Sequence, residues 1–334
     1  MTSSNHTVLI LGARGRFGLA AARAFALAGW QVLGQVRPGA HAPPVPGVRW
    51  LSLALDDAAL LQAARGASVL VYALNPAYTN AAWTTQVTPA MHLALGLSRA
   101  LGATLMLPGN VYNFGADMPA VLHEDTAQTA RTVKGQVRIA LEAQMRSSGV
   151  PCVVIRAGDF FGSGRGTWFD TTLVAKLHKG AFCAIGARDV VTPWAYLPDL
   201  ARCFVAVAER RAQLGRFEVF HFKGHGLSPQ HWLDALTPIA HERAWLRAGS
   251  ALKLNTLPWG VIGLGAWLLP TWAAVLEMRY LWQTPHALAN DKLAALIGAE
   301  PHTPLAQAAR QALEELKGPP PSAAPVSGAR QTAR

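Results

Sequence analysis

The chain has 334 residues, of which 51% are hydrophobic and 15% charged, and its formal net charge is +11. This length predicts one large domain or two closely joined domains with a sizeable core. The basic residues form no block and are not interleaved with aromatic residues, so the sequence gives no signal for nucleic-acid binding. The three cysteines are widely spaced, which favours reduced thiols over a disulfide framework or a zinc site: Cys152, Cys183 and Cys203.

The first distinctive feature is a glycine-spaced turn near the start of the chain. It lies between the apolar run Val8–Leu11, typical of a strand, and the alanine-rich run Leu19–Leu27, typical of a helix. Glycines at this spacing permit a sharp turn, close approach of backbone to a pyrophosphate and close packing of helix on strand. Free N–H groups at the helix start would face the phosphates. The motif predicts a dinucleotide site, with a ligand-free turn as the alternative, and the expected contacts are Gly12, Arg14, Gly15, Arg16, Phe17 and Gly18.

The end of the second predicted strand distinguishes the two nicotinamide dinucleotides. An NAD site usually has Asp or Glu there for the ribose 2′-OH, whereas an NADP site has Arg for the 2′-phosphate. Here Arg37 follows the strand, and no acidic residue occurs before Asp56. Arginine can bind a phosphomonoester in bidentate fashion. NADP(H) is therefore favoured over NAD(H), with Arg37 and Arg14 as contacts, while a solvated surface position is favoured for Arg16 and Arg23.

Apolar strands alternate with helical patterns in the first half, which predicts an α/β fold with a Rossmann-type, doubly wound parallel sheet. The predicted strands are 7–11, 31–36, 48–53, 68–73, 103–107 and 152–156, and the predicted helices lie near 16–29, 57–64, 86–101 and 130–148. The later pattern is irregular, with strands near 181–185 and 217–222 and helices near 198–211, 229–239, 272–282 and 303–316.

This change of pattern predicts two domains and a tail. Residues 6–160 form the dinucleotide-binding domain, whose sheet is completed by later strands. Residues 161–316 form a smaller, mixed, substrate-binding lobe. Residues 318–334 are expected to be disordered because of their proline-rich composition.

The segment Leu254–Leu276 contains no charged residue and is long enough to cross a bilayer. Pro258 and Pro270 interrupt it, which favours a buried pair of short helices at a substrate pocket or an oligomer surface, such as that of a homodimer. Membrane-surface contact and a true span are the alternatives. The short polar start of the chain does not suggest a signal peptide, so we expect a cytoplasmic protein, peripheral to the membrane if this segment touches one.

These features together resemble the short-chain dehydrogenase/reductase superfamily, in its extended and atypical branches of NAD-dependent epimerase/dehydratase-like proteins, over roughly residues 6 to 316. The segments that carry the resemblance are 12–18, Arg37, 56–57, 109–115, 134–142, 156–162 and 196–201. The resemblance implies that Asp57 or Asp56 contacts the adenine amino group. It also places further residues at the cofactor: Ala73, Leu74, Asn75, Gly109, Lys134, Ala157 and Gly158.

The catalytic pattern of that superfamily is altered here. Its tyrosine corresponds to Lys134, its lysine to Arg138, and its serine to Pro108 or Gly109. The four-residue spacing puts Lys134 and Arg138 on one helix face. Lys134 is a candidate general acid if burial and Arg138 lower its pKa, and Arg138 is a candidate to hold ribose or a substrate oxygen. Tyr112 is a second candidate proton donor. A solvated lysine and a core tyrosine are the respective alternatives.

Two functions remain open at this point. The first is an NADP(H)-dependent oxidoreductase or epimerase/dehydratase-like enzyme, acting on an apolar hydroxyl or carbonyl substrate because tryptophan is abundant in the second half. The second is a non-catalytic NADP(H)-binding sensor or scaffold. No metal is expected, because no carboxylate or cysteine near His221 and His225 completes a ligand set.

Overall fold

The computed structural model describes residues 6–317, so the tail predicted at 318–334 lies outside the described residues. The strands are β1 (Thr7–Leu11), β2 (Gln31–Val36), β3 (Val48–Ser52), β4 (Ala67–Tyr72), β5 (Thr104–Asn110), β6 (Val121–Leu122), β7 (Cys152–Ala157), β8 (Asp159–Phe161), β9 (Ala181–Ala184), β10 (Thr192–Tyr196), β11 (Phe217–His221), β12 (His225–Leu227), β13 (Lys253–Thr256) and β14 (Ala287–Leu288). The helices are α1 (Arg16–Leu27), α2 (Ala58–Ala63), α3 (Asn80–Leu101), α4 (Val133–Ser147), α5 (Leu197–Glu209), α6 (Pro229–Glu242), α7 (Trp259–Gly265), α8 (Pro270–Glu277), α9 (Asp291–Ile297) and α10 (Leu305–Glu315).

A seven-stranded parallel sheet with the order β11-β7-β5-β4-β1-β2-β3 forms the centre of the fold. Alternate residues of β1 face opposite sides. Val8 and Ile10 join a core with α1 and α5, and Leu9 and Leu11 join a core with α3. Helices thus cover both faces, which confirms the predicted Rossmann-type fold. The strand order reverses beside β1, so the carboxyl ends of β1 and β4 border the crevice where such sheets bind ligands.

Three small sheets, β12-β10-β8, β13-β9 and β14-β6, form what we call the second lobe. Its core is rich in aromatic rings. The ring centroid of Trp232 lies 5.2 Å from those of Phe161 and Phe169 and 5.4 Å from that of Trp194. β11 and α5, although late in the chain, belong to the central sheet and its helical layer. The boundary at residue 160 stays a prediction.

Two features of the secondary structure differ from expectation. α3 begins at Asn80 rather than near 86, because the hydroxyl of Thr79 accepts a hydrogen bond from the N–H of Ala82 at 3.2 Å and caps the helix. β6, β8, β12 and β14 were not predicted, because strands of two or three residues are too short to show a periodic pattern, and β10, β13 and α9 were missed as well.

The uncharged segment Leu254–Leu276 contributes to β13 and forms α7 and α8. Within residues 6–317, no helix combines the length and the apolarity needed to cross a bilayer. Pro270 begins α8 and cannot donate the hydrogen bond that would continue α7. The expected pair of short helices is present, with an inner side that is buried and an outer side that is exposed in the single chain; its role as a pocket, oligomer or membrane surface stays a prediction. Large apolar side chains of α7 and of the turn between α7 and α8 are exposed: Val261, Leu264, Trp267, Leu268 and Leu269.

A buried ion pair joins α4 to the central sheet. The guanidinium of Arg156 on β7 makes two hydrogen bonds to the carboxylate of Glu142 on α4, at 2.7 and 3.1 Å. The carboxylate also accepts a hydrogen bond from the Asn113 amide at 2.9 Å, and the guanidinium lies 5.1 Å from the centroid of the Phe114 ring. Burial and the nearby Arg156 charge lower the pKa of His221 to about 3, so that imidazole stays neutral beside the pair.

Replacing one partner of this pair would leave the other charge buried and uncompensated. We expect Glu142→Gln to lower the free energy of unfolding by about 3–5 kcal/mol, measured by urea denaturation. The matched control is Glu242→Gln, which breaks the exposed pair with Arg310 and should leave the unfolding midpoint nearly unchanged. Equal midpoints for the two variants would contradict this assignment.

Candidate functional site

The glycine turn adopts a geometry that depends on its glycines. Gly12 has φ +70°, and its N–H donates to the side-chain oxygen of Gln35 on β2 at 3.0 Å. A Cβ on Gly18 would overlap the carbonyl oxygen of Gly12, so α1 packs directly on the turn. Gly15 is exposed and caps α1, whose first N–H groups lack acceptors within the helix. Gly12 thus lies at the sharp turn, Gly15 lies where the backbone is exposed, and Gly18 lies where α1 packs on the turn, as their spacing predicts.

The turn after β4 forms the opposite wall of the glycine turn. A Cβ added to Gly12 would lie 3.1 Å from the Ala73 carbonyl oxygen and 2.9 Å from the Leu74 side chain. Asn75, the next residue, is exposed. The structure therefore brings the predicted turn 73–75 to the predicted dinucleotide site.

The predicted arginines have different surroundings. Arg37 is exposed directly after β2, and Arg14 is half-buried in the glycine turn itself. Arg23 pairs with Glu315 at 3.6 Å, as a surface residue would. Arg16 is not simply solvated, because its guanidinium donates to the Arg165 carbonyl oxygen at 3.2 Å and burial lowers its pKa. Arg16 therefore links the start of α1 to the second lobe.

The two candidate adenine contacts lie at the start of α2. The carboxylate of Asp57 accepts a hydrogen bond from the N–H of Ala59 at 2.8 Å and caps this helix. Asp56 precedes it and is exposed. Both follow the carboxyl end of β3, and their contact with adenine stays a prediction.

Lys134 is buried near the start of α4, which the solvated-lysine alternative does not fit. Its Nζ donates to the side-chain oxygen of Asn80 at 2.6 Å and lies 4.5 Å from the centroid of the Tyr78 ring. Burial lowers the pKa of Lys134 to about 8, and Glu277 opposes that shift. Burial is thus the cause of the lowered pKa, and Arg138, which was expected to contribute, is not among its causes.

Arg138 lies one helical turn after Lys134, with its guanidinium 5.1 Å from the centroid of the Trp83 ring. Burial lowers its pKa, against the charges of Tyr112 and Tyr72. Among the side chains of residues 6–317, none accepts a hydrogen bond from its buried Nε. This donor is suited to an oxygen of a ligand.

Tyr112 packs against the cores of the central sheet and of the second lobe and also lies near Arg138. Its hydroxyl oxygen is 3.4 Å from that of Tyr78. Burial raises the pKa of Tyr112 to about 12, and the nearby Asp159 raises it further, whereas Arg138 opposes the shift. The phenol is therefore neutral at physiological pH.

The structure adds a carboxyl group that sequence reasoning missed. Asp159 directly follows the predicted residues Ala157 and Gly158, and its carboxylate accepts a hydrogen bond from the indole N–H of Trp282 at 2.7 Å. Burial raises its pKa to about 6. The sequence did contain an indication of this carboxyl group, because the acidic Asp159 interrupts an apolar run just after a buried strand.

Glu277 at the end of α8 is a second residue that was missed. Its carboxylate accepts hydrogen bonds from the N–H of Val133 at 2.6 Å and from the Asn80 amide at 2.9 Å. Because Asn80 in turn accepts from Lys134, one chain of hydrogen bonds joins α8, α3 and α4. No local motif could have signalled this link. Within residues 6–317, no group of three or more His, Cys, Asp or Glu residues is arranged to hold a metal ion.

Comparisons with known proteins agree with this geometry. The family model described as "RmlD substrate binding domain" matches residues 6–244. A candidate epimerase from Burkholderia cenocepacia J2315 has a similar fold, with a TM-score of 0.72, 20% identity, and coverage of 92% of this chain and 97% of the other. The search of curated proteins finds no matching relative.

Two further structures with similar folds contain ligands. UDP-glucuronic acid 4-epimerase from Bacillus cereus, in complex with UDP-glucuronic acid and NAD, has a TM-score of 0.70 and 15% identity, with 93% and 99% of the two chains covered. The Bordetella bronchiseptica enzyme WbmH, in complex with NAD⁺, has a TM-score of 0.69 and 16% identity, with 93% and 98% covered. The match over residues 6–244 shows that this chain belongs to the RmlD substrate-binding-domain family, within the extended short-chain dehydrogenase/reductase superfamily.

Proposed function

We propose that the protein is an enzyme that binds NADP(H) at the glycine turn and reduces a carbonyl, or oxidises a hydroxyl, of an apolar substrate. The observation on which this rests is Lys134, a buried amine whose pKa is lowered to about 8, at the position of the superfamily's tyrosine. An amine with this pKa is present in both protonation states near neutral pH, as a proton-transfer group requires.

The residues of the glycine turn suit a dinucleotide. Gly12 and Gly15 have no Cβ, so the backbone beside the Ala73 carbonyl stays accessible to a pyrophosphate. Arg37 and Arg14 supply positive charge near the expected ribose 2′-phosphate. When bound, NADPH supplies a hydride to the substrate carbon. Since the Bacillus and Bordetella structures contain NAD, the NADP(H) proposal rests on these two arginines alone.

Electrostatics distinguish the two candidate proton donors. The raised pKa of Tyr112 keeps its phenol protonated, so this residue is suited to donating a hydrogen bond but not to cycling its proton. The lowered pKa of Lys134 permits both release and recovery of a proton. Arg138 stays protonated and is suited to holding a ribose or substrate oxygen. We therefore assign proton exchange to Lys134.

The second lobe favours an apolar substrate. Aromatic and aliphatic side chains enclose a cavity of about 20 Å³, lined by Leu173, Phe182, Trp194, Leu227, Trp232 and Trp282. A cavity of this size holds about one water molecule, so a substrate can enter only if the lobe opens. Trp282 connects this lining to Asp159 through its indole N–H.

A specific observation supports the second candidate function, a non-catalytic NADP(H)-binding protein. A Cβ on Gly109 would lie 2.8 Å from the Val154 side chain and 2.9 Å from Cγ of Arg156. That site leaves little room for the serine hydroxyl of the superfamily. A panel of aldehydes, ketones and alcohols separates the two functions: tight NADPH binding without hydride transfer to any member favours the sensor, and turnover favours the enzyme.

The choice of cofactor is tested by removing the exposed arginine after β2. We expect Arg37→Ala to weaken NADPH binding about 10–100-fold, since a charge-assisted contact is lost, and to leave NADH binding unchanged. Fluorescence titration measures both affinities. Arg65→Ala, another exposed arginine, is the matched control. Wild-type protein that binds NADH at least as tightly as NADPH would refute the role of Arg37.

The assignment of the proton donor is tested with Lys134→Met, which keeps most of the length of the side chain but removes the amine that carries the proton. We expect kcat for reduction to fall about 10²–10⁴-fold while NADPH affinity changes little. In the wild type, reduction should decline above pH 8, because it needs the protonated amine, and oxidation should rise towards pH 8. Lys292→Met, at a surface pair, is the control. Full activity of Lys134→Met with an unchanged pH profile would exclude the assignment.

Burial raises the pKa of every tyrosine in the chain: Tyr72, Tyr78, Tyr112, Tyr196 and Tyr280. We expect no phenolate absorbance at 295 nm from folded protein at pH 10, and titration near pH 10 once urea has unfolded it. Because the unfolded state releases these protons first, stability should fall as the pH rises above 10. An absorbance at 295 nm equal to that of one ionised tyrosine in the folded protein at pH 10 would contradict the burial of these five side chains.

A further inference from the structure

The outer side of α7 and the turn between α7 and α8 carry a concentrated apolar surface. We call it the 261–269 patch, after its exposed members Val261, Leu264, Trp267, Leu268 and Leu269. Leu264 and Trp267 are 77% and 78% exposed. In the rest of the described chain, large exposed hydrophobic residues occur singly: Leu27, Leu93 and Val121. A cluster of this kind marks an interaction surface, whereas single exposed residues do not.

The patch is mounted on the second lobe by its inner side. Ile262, Ala274 and Val275 are buried. The indole N–H of Trp259, the first residue of α7, donates to the Ile185 carbonyl oxygen at 3.0 Å. The apolar tip is therefore presented outward by an anchored element.

The charged residues that flank the patch in the sequence are mainly positive. Between residues 244 and 290 the charged side chains are Arg247, Lys253, Glu277 and Arg279, and Glu277 is engaged by Asn80 and Val133. β13 pairs with β9, so the exposed Lys253 lies beside Gly180, just after the exposed Lys176 and Lys179. Cations in this position attract anionic phosphates. A second copy of this chain, also at +11, is disfavoured as an occupant by like-charge repulsion.

We propose that the 261–269 patch docks this protein on an anionic phospholipid surface. Trp267 and its apolar neighbours enter the headgroup region, and the lysines beside β13 contact lipid phosphates. Docking is monotopic, because the seven- and eight-residue helices rise only about 10–12 Å, against about 30 Å for the hydrocarbon core.

Sedimentation of the full chain with vesicles tests this proposal. We expect binding to vesicles of phosphatidylcholine with phosphatidylglycerol, and at least about tenfold weaker binding after the double change Leu264→Ser and Trp267→Ser. Leu27→Ser, which removes a single exposed leucine from α1, should bind like the wild type. The charge reversals Lys179→Glu and Lys253→Glu should reduce binding to these vesicles towards that on phosphatidylcholine alone. Thermal unfolding confirms that each variant is folded.

Three outcomes would overturn the proposal. The first is no binding of the wild type to anionic vesicles. The second is equal binding by the wild type and the Leu264→Ser, Trp267→Ser variant. The third is a dimer in sedimentation velocity that this variant abolishes, together with no vesicle binding, which would make a second copy the occupant.

Discussion

The buried pair of Glu142 and Arg156 sets the rotation of α4, and the site depends on that rotation. Lys134, Arg138 and Glu142 lie four residues apart, so they share one face of the helix. Fixing Glu142 to β7 therefore turns Arg138 and Lys134 towards the carboxyl edge of the sheet. Burying two charges is costly, and the bidentate geometry with the Asn113 amide offsets part of that cost.

Burial is the common cause of the unusual acidities in the site. It lowers the pKa of Lys134 and raises the pKa of Tyr112 and Asp159, so each group is shifted towards its neutral form. Only Lys134 and Asp159 reach values near neutral pH. Perturbed titratable groups are frequent at catalytic sites, and this is the reason why proton exchange is proposed for Lys134.

Sequence pattern predicted the central sheet well because most of its strands are continuous apolar runs, buried on both faces. It also located the turn from Gly12 to Gly18, whose geometry depends on glycine. The contacts of Lys134 could not be predicted, since its partner Asn80 is 54 residues away in the sequence. Glu277, which accepts a hydrogen bond from Asn80, is 197 residues from Asn80. The exposure of Trp267 could not be predicted either, because apolarity predicts burial and does not show that the turn between α7 and α8 lacks a packing partner.

One close backbone contact fixes the junction between the central sheet and the second lobe. Gly158 separates β7 from β8, and even a methyl group there would overlap the carbonyl of Pro193 on β10. β10 continues directly into α5, which packs on the central sheet. Any side chain at residue 158 would therefore push β10, and with it the start of α5, away from the carboxyl end of β7. Asp159 is the next residue, so the place of its carboxylate at the site depends on the missing Cβ of its neighbour.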